Sequence, residues 1–395
     1  MLKILLLSFY FEPDLCAGSF RAKSLVQALS KEMPSDYEIE VLTTMPNRYD
    51  SYELEAESLD KNERIVVRRF VLPRHQSGML DQAKAFISYA KQVKKYCASS
   101  DYDYVVATSS RLLTAALGAY IAKKKSIGLY LDIRDIFLDT MNNLLSKKVM
   151  FFVNPVISLL ESWTMTSAKK INLVSRGFEP YFIARYPNKK YSYYTNGVDD
   201  EFVSLEDVYC ETPSEATGLI RVLYAGNIGE GQGLHEILPG LAEKMNQNIC
   251  FRVIGDGGRK KELVQQLEAN GCQNVTLMAP VSREALILEY RKADVLFLHL
   301  NDYNAFRKVL PSKIFEYAAL GKPIWAGVAG FAADFVSQEV SNSAVFKPCD
   351  VDSAVRTFDE LALVKTNRRS FIEKFARSKI MNDMARDILS EIGEC

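Results

Sequence analysis

Lys313 and Glu316 stand one helical turn apart in the stretch VLPSKIFEYAALGKPIWAG (309–327), directly after Pro311 and Ser312. Two readings fit this pattern. Pro311 sets the chain entering a short helix and Ser312 supplies a side-chain cap. Alternatively, the helix start with Ser312 and the Lys313 ammonium holds a diphosphate, and Glu316 accepts hydrogen bonds from vicinal sugar hydroxyls. Arg307 and Lys308 make FRKVLPSK (306–313) locally basic, as a solvated loop also is.

Glycine-rich turns supply the other candidates. AGNIGEGQGL (225–234) crowds Gly226, Gly229, Gly231 and Gly233 around Asn227, more glycine than one turn needs, and suits backbone cradling of a ligand. VIGDG (253–257) ends a strand at Gly255, Asp256 and Gly257. It lacks the full Gly-x-Gly-x-x-Gly, and the next strand-like run, NVTLMA (274–279), ends without an acid, so dinucleotide binding is disfavoured. Gly18 precedes a helix in YFEPDLCAGSFR (10–21), where a phosphate contact and a plain tight turn both fit. DIRDIFLD (132–139) puts Arg134 and Asp135 at the end of a strand, as ligand contacts or as an internal ion pair.

These turns need strands and helices to hold them. Strand-like runs at 2–10, 37–44, 64–70, 102–109, 127–133 and 170–175 alternate with helical patterns such as 20–32 and 112–125. A second series at 219–226, 249–255, 274–279, 293–300 and 322–327 alternates with helices such as 235–245 and 259–271. Such alternation predicts an α/β protein with two doubly wound, Rossmann-like sheets. Ligands bind at the carboxyl ends of such strands, here expected along a shared cleft. The expected domains are 1–203 and 204–366, with a polar linker at 204–218 and a last helix, 367–393, crossing back over both.

Bulk properties narrow the function. Lysine plus arginine equals aspartate plus glutamate, 49 each, so no net charge favours nucleic acid. Seven cysteines at 16, 97, 210, 250, 272, 349 and 395 show no Cys-x-x-Cys spacing, which suggests reduced thiols and a cytoplasmic setting. His75, His235 and His299 are too dispersed to suggest a metal site. Cys16 follows an apolar run, but Glu12, Pro13 and Asp14 spoil a signal cleavage site, and a buried first strand fits better. SKKVMFFVNPVISLLESWTM (146–165) and AKAFISYAKQVKKY (83–96) suit either a buried helix or peripheral contact with an anionic membrane.

Taken in order, SFYFEPDLCAGSFRAKSLVQAL, LYLDIRDIFLD, TNGVDDEF, AGNIGEGQGL, VIGDG and LPSKIFEYAALGKP resemble the GT-B glycosyltransferases of family 4 over nearly the whole chain. The nearest resemblance is to bacterial members that build O-antigen and capsule. It implies retaining transfer of a sugar from a nucleoside-diphosphate donor, UDP before GDP, without metal or other cofactor. It also implies a polyprenyl-diphosphate-linked acceptor at the inner face of the cytoplasmic membrane. Residue by residue, it implies that Glu316 binds the donor ribose, that Gly18 lies beside the diphosphate, and that Asp135 with Arg134 lines the cleft. The donor set then comprises Gly18, Gly226, Asn227, Gly229, Gly255, Asp256, Gly257, Arg307, Lys308, Pro311, Ser312, Lys313 and Glu316, with Asp135, Arg134 and Lys313 expected to be catalytic. Two departures stand out. Lys308 replaces the earlier of a glutamate pair, and the loop Asn227–Gln232 lacks the usual arginine and lysine. Lys313, helped by Arg307 or Lys308, is expected to supply the missing positive charge. A nucleotide-sugar 2-epimerase of GT-B architecture and a non-catalytic nucleotide-sugar-binding subunit are the competing readings.

Overall fold

The computed structural model describes residues 2–46, 56–73, 79–109, 112–144, 147–203 and 218–393. The expected linker, apart from Gly218, falls outside the described residues, as do His75, Cys210 and Cys395. The chain divides into two units, residues 1–196 with 377–395, and residues 197–376.

Among the described residues, the first unit carries an eight-stranded sheet in the order β3-β4-β2-β1-β5-β6-β7-β8. Its strands are β1 (Leu2–Leu7), β2 (Tyr37–Thr44), β3 (Leu59–Lys61), β4 (Ile65–Phe70), β5 (Tyr104–Ser109), β6 (Gly128–Ile133), β7 (Lys170–Leu173) and β8 (Lys190–Ser192). All neighbours pair in parallel except β3 with β4. Central strands covered on both faces read as unbroken apolar runs, which is why β1, β5 and β6 were visible in the sequence. The helices are α1 (Ala17–Glu32), α2 (Met79–Cys97), α3 (Leu112–Lys125), α4 (Phe137–Leu144), α5 (Lys147–Ser167) and α6 (Glu179–Arg185).

The second unit has a six-stranded parallel sheet in the order β11-β10-β9-β12-β13-β14. Its strands are β9 (Ile220–Ala225), β10 (Ile249–Ile254), β11 (Val275–Met278), β12 (Val295–His299), β13 (Ile324–Gly327) and β14 (Ser343–Phe346). Its helices are α7 (Asp200–Val203), α8 (Leu234–Lys244), α9 (Lys260–Ala269), α10 (Arg283–Lys292), α11 (Lys313–Ala319), α12 (Phe331–Glu339), α13 (Val351–Phe358) and α14 (Arg369–Lys374). The chain then returns to the first unit as α15 (Arg377–Gly393). There Met381, Met384 and Ile388 join the α1 residues Leu25 and Leu29 in one core.

The boundaries differ from the sequence reading in two places. Residues 197–203 belong to the second unit, and the expected helix 367–393 is two helices, of which the first belongs there too. The break has a local cause: the Phe375 carbonyl accepts from the Val198 amide at 2.8 Å, and Val198 pairs with Ala376 as an isolated bridge. An extended residue paired in this way cannot continue the helical ladder.

Three short strands, β3, β8 and β14, escaped the periodicity reading, β3 being exposed along its whole length. The end of β12 carries a buried histidine. His299 accepts from the Cys349 amide through Nε2 at 3.0 Å, so its Nδ1 donates to the Gln232 carbonyl at 2.7 Å. Burial lowers its pKa from 6.5 to about 4. The unfolded chain therefore binds an extra proton between those values, so stability is complete above the upper one and declines as pH falls toward the lower. From pH 7 to 5 the loss should be about 2 kcal/mol. Denaturation midpoints of wild type and His299→Gln across that range check it, and parallel pH curves would contradict it.

Candidate functional site

In the second unit four of the expected donor residues, Pro311, Ser312, Lys313 and Glu316, stand at the start of α11. Pro311 and Ser312 already lie in its first turn, since Ile314 donates to the Pro311 carbonyl at 3.2 Å and Phe315 to that of Ser312 at 3.1 Å. Ser312 has helical dihedrals (φ −61°, ψ −27°) and its hydroxyl makes no capping bond, which corrects the expected side-chain cap. Capping by a serine needs the extended conformation that this position lacks.

Glu316 is buried, and its carboxylate is held from three sides. Lys313 Nζ donates to Oε2 at 2.7 Å, the Tyr290 hydroxyl to Oε2 at 3.2 Å, and Arg283 Nη1 to Oε1 at 3.3 Å. Lys313 also reaches the Tyr290 oxygen at 2.7 Å. Arg283 spreads its remaining donors over Asp199 and Glu201, each at 2.9 Å, and its guanidinium lies 4.6 Å from the centre of the Phe202 ring. Burial opposes the Arg283 charge, but Glu316, Asp199 and Glu201 outweigh it and raise its pKa. Burial, then the neighbouring Glu316, pushes Tyr290 well above the ordinary phenol range, so it stays protonated and donating at neutral pH. Lys313 is the more open member, its side chain a quarter exposed against 6% for Glu316, and it covers the carboxylate.

Sequence reading found Lys313 and Glu316 but not Arg283 or Tyr290. Arg283 follows Ser282, whose hydroxyl caps α10 by accepting from the Ala285 amide, so it reads as an ordinary first-turn residue. The available signal was TNGVDDEF, which contributes Asp199, Glu201 and Phe202 to the cluster.

The two glycine-rich loops are packed against each other. Gly226 donates to Ile254 and Ile228 to Asp256, and a Cβ on Gly255 would stand 1.8 Å from the Gly226 carbonyl oxygen. A Cβ on Gly257 would meet the Ile228 oxygen at 2.5 Å. These glycines are required by backbone crossing, whatever else the loops hold. Gly233 opens α8 with φ +58°, and the Asn227 side chain donates to Gln232 at 2.7 Å. Asp256 accepts from the Gly257 amide. Arg307, exposed on the half-buried turn Phe306–Lys308, pairs with Asp302 at 3.0 Å, and the same turn carries Lys308.

Gly18, Arg134 and Asp135 belong to the first unit. Gly18 lies in the first turn of α1 beneath Arg134: a Cβ there would be 2.5 Å from Nη1. Arg134 Nε is buried with no hydrogen-bond partner among the described residues. Burial lowers the Arg134 pKa, with Asp132 opposing. Asp135 is exposed but crowded, and burial raises its carboxyl to about 6 against the pull of Arg134. Solvent at its surface works against the full shift.

Beneath them lies a pair that the sequence reading did not single out. Arg21, on the buried face of α1, makes a two-point bond to Asp132 of β6 at 2.8 and 2.9 Å. It also donates to the carbonyls of Tyr194 and Thr195 at 2.7 Å, while Asn172 donates to Asp132 at 2.8 Å. This network ties α1, β6, β7 and the segment before the second unit into one frame.

Residues 212–378 match the family described as "Glycosyl transferases group 1". Over 100 residues, a quarter of the chain, the sequence is 31% identical to the putative colanic acid biosynthesis glycosyl transferase WcaI of Escherichia coli K12. That match spans about a quarter (24%) of the curated relative's length. Among solved structures, sucrose-phosphate synthase from Thermosynechococcus elongatus aligns over 99% of this chain and 100% of its own, with TM-score 0.72 and 14% identity. Anabaena HepE in complex with UDP and glucose aligns over 99% and 100%, with TM-score 0.63 and 18% identity. The chain therefore has two Rossmann-like sheets of the GT-B type, and its second unit carries the sequence pattern of the group 1 glycosyl transferases.

Proposed function

We propose that this protein is a retaining glycosyltransferase that moves a sugar from a nucleoside-diphosphate donor, with UDP favoured, to a lipid-linked or oligosaccharide acceptor in surface-polysaccharide synthesis. The observation that carries the reading is the Glu316 carboxylate, buried and aligned by Arg283 and Tyr290 but covered on its open side by Lys313. A buried carboxylate with fixed neighbours suits two adjacent ribose hydroxyls. The ammonium on its open side suits the diphosphate that follows the ribose. On donor binding, the hydroxyls take the place of Lys313, whose ammonium moves to the phosphate oxygens. Charge builds on the leaving diphosphate as the glycosidic bond breaks, so a cation placed there favours the transition state. The WcaI match and the UDP complex of HepE support polysaccharide synthesis and a uridine donor. Within the first unit, Arg134, whose buried Nε has no partner among the described residues, lies above Gly18 and suits an anion contact of its own.

Thermal melting with UDP, GDP and their sugars tests the reading, because a ligand bound by the folded state raises the melting temperature. Stabilisation by a nucleoside diphosphate should shrink at least about tenfold in apparent affinity in Lys313→Ala, by loss of a charged hydrogen bond. Equal stabilisation of both proteins would remove Lys313 from the diphosphate. No stabilisation of wild type by any of these ligands would remove the reading itself.

A further inference from the structure

Among the described residues of the first unit, α5 exposes more large apolar side chains than any other element. Phe151 and Phe152 are each three-quarters exposed, and Val149, Val156 and Leu159 are exposed as well. Their spacing, 149, 152, 156 and 159, is one stripe of a helix, with Phe151 beside it. No acidic residue occurs between Asp139 and Glu161, and Lys147 and Lys148 open the helix.

By length and composition Lys148–Ser167 could cross a bilayer, and only 22% of its apolar window is buried, but its last turns are tied into the fold. Met150, Thr164 and Met165 are buried, and Glu161 accepts hydrogen bonds from Tyr181 and Tyr186 at 2.9 and 3.0 Å. A helix anchored along one side lies on a surface and does not pass through it. Of the helices packed against it, α3 is strongly basic and α4 carries Asp139 and no base. α3 touches both α2 and α5, and Lys94 of α2 stands 4.4 Å from the Tyr120 ring of α3. These three helices carry nine lysines and two acids, in a chain with no net charge. An apolar stripe within a basic helical layer fits a surface that is apolar inside and anionic outside.

We propose that the exposed stripe of α5 rests on an anionic phospholipid bilayer, with its aromatic residues at the acyl boundary and Lys148 and the lysines of α2 and α3 against the headgroups. Apolar burial and attraction to anionic lipid add in such binding. The inference does not depend on the donor site.

Co-sedimentation of the full chain with phosphatidylcholine vesicles, with and without phosphatidylglycerol, tests it. Wild type should pellet with the anionic vesicles and much less with neutral ones. Phe151→Ser with Phe152→Ser should weaken that binding at least about tenfold, since two large apolar side chains leave the lipid. Both positions are open to solvent, so melting temperature and nucleotide-induced stabilisation should stay as in wild type. As a second variant, Lys148→Glu should erase much of the preference for anionic lipid. Wild type left in the supernatant with anionic vesicles would overturn the proposal, as would a double serine variant that binds as well as wild type. A concentration-dependent dimer that the serine variant dissociates, with neither protein binding vesicles, would assign the stripe to a second copy of the chain instead.

Discussion

Glu316→Ala should lower kcat/KM for the proposed nucleoside-diphosphate sugar by at least about tenfold, the size expected when a charged group that accepts hydrogen bonds worth about 1.5–3 kcal/mol each is lost. The fold should survive the change. Arg283 keeps Asp199 and Glu201 as ion-pair partners, and Lys313 is open enough to be hydrated. Loss of Glu316 removes the acceptor of the Tyr290 hydroxyl, which still accepts from Lys313, so some stability is also lost. Glu316→Gln separates the two effects: it retains volume and two hydrogen-bonding ends but not the charge. Steady-state kinetics beside thermal melting measure both. A folded alanine variant with normal kcat/KM would remove Glu316 from the donor.

The second large effect is in the first unit. Arg21→Met should destabilise the protein by about 3–5 kcal/mol, because it strands a carboxylate that water cannot reach. Asp132 is 0% exposed and, among the described residues, would keep only Asn172 as a side-chain donor, while the Tyr194 and Thr195 carbonyls also lose a donor. Combining Arg21→Met with Asp132→Leu should recover most of the loss, since a removed pair leaves no orphaned charge. Denaturant midpoints for the single and double variants decide this. A single variant within about 1 kcal/mol of wild type would show that Asp132 finds another partner or a proton.

The sheets were legible because parallel strands buried on both faces write themselves as apolar runs between turn residues. LLTAALGAYIAKKK gave α3 to the residue, and IGLYLDI (127–133) gave β6 with one residue too many at its start. The site was legible only where its members are close in sequence. Lys313 and Glu316 are three apart, but Arg283 is 33 positions before Glu316 and Arg21 is 111 before Asp132. Nothing local marks Arg283. Arg21 and Asp132 did leave a trace, a charge inside the apolar stripe of α1 and a charge next to the end of a buried strand, which together call for each other. The four crowded glycines invited a ligand reading, yet Gly231 abuts the Phe306 ring and Gly229 the Asn227 amide. Space taken by a neighbour and space kept for a ligand look alike in one dimension.

The return of α15 to the first unit sets an order for biogenesis. Ribosomes deliver the chain from its amino end. All of residues 197–376 emerge before the segment that supplies Met381, Met384 and Ile388 to the earlier sheet. The half made first must therefore wait, its α1 stripe uncovered, while the half made second can close around its own sheet on the nascent polypeptide.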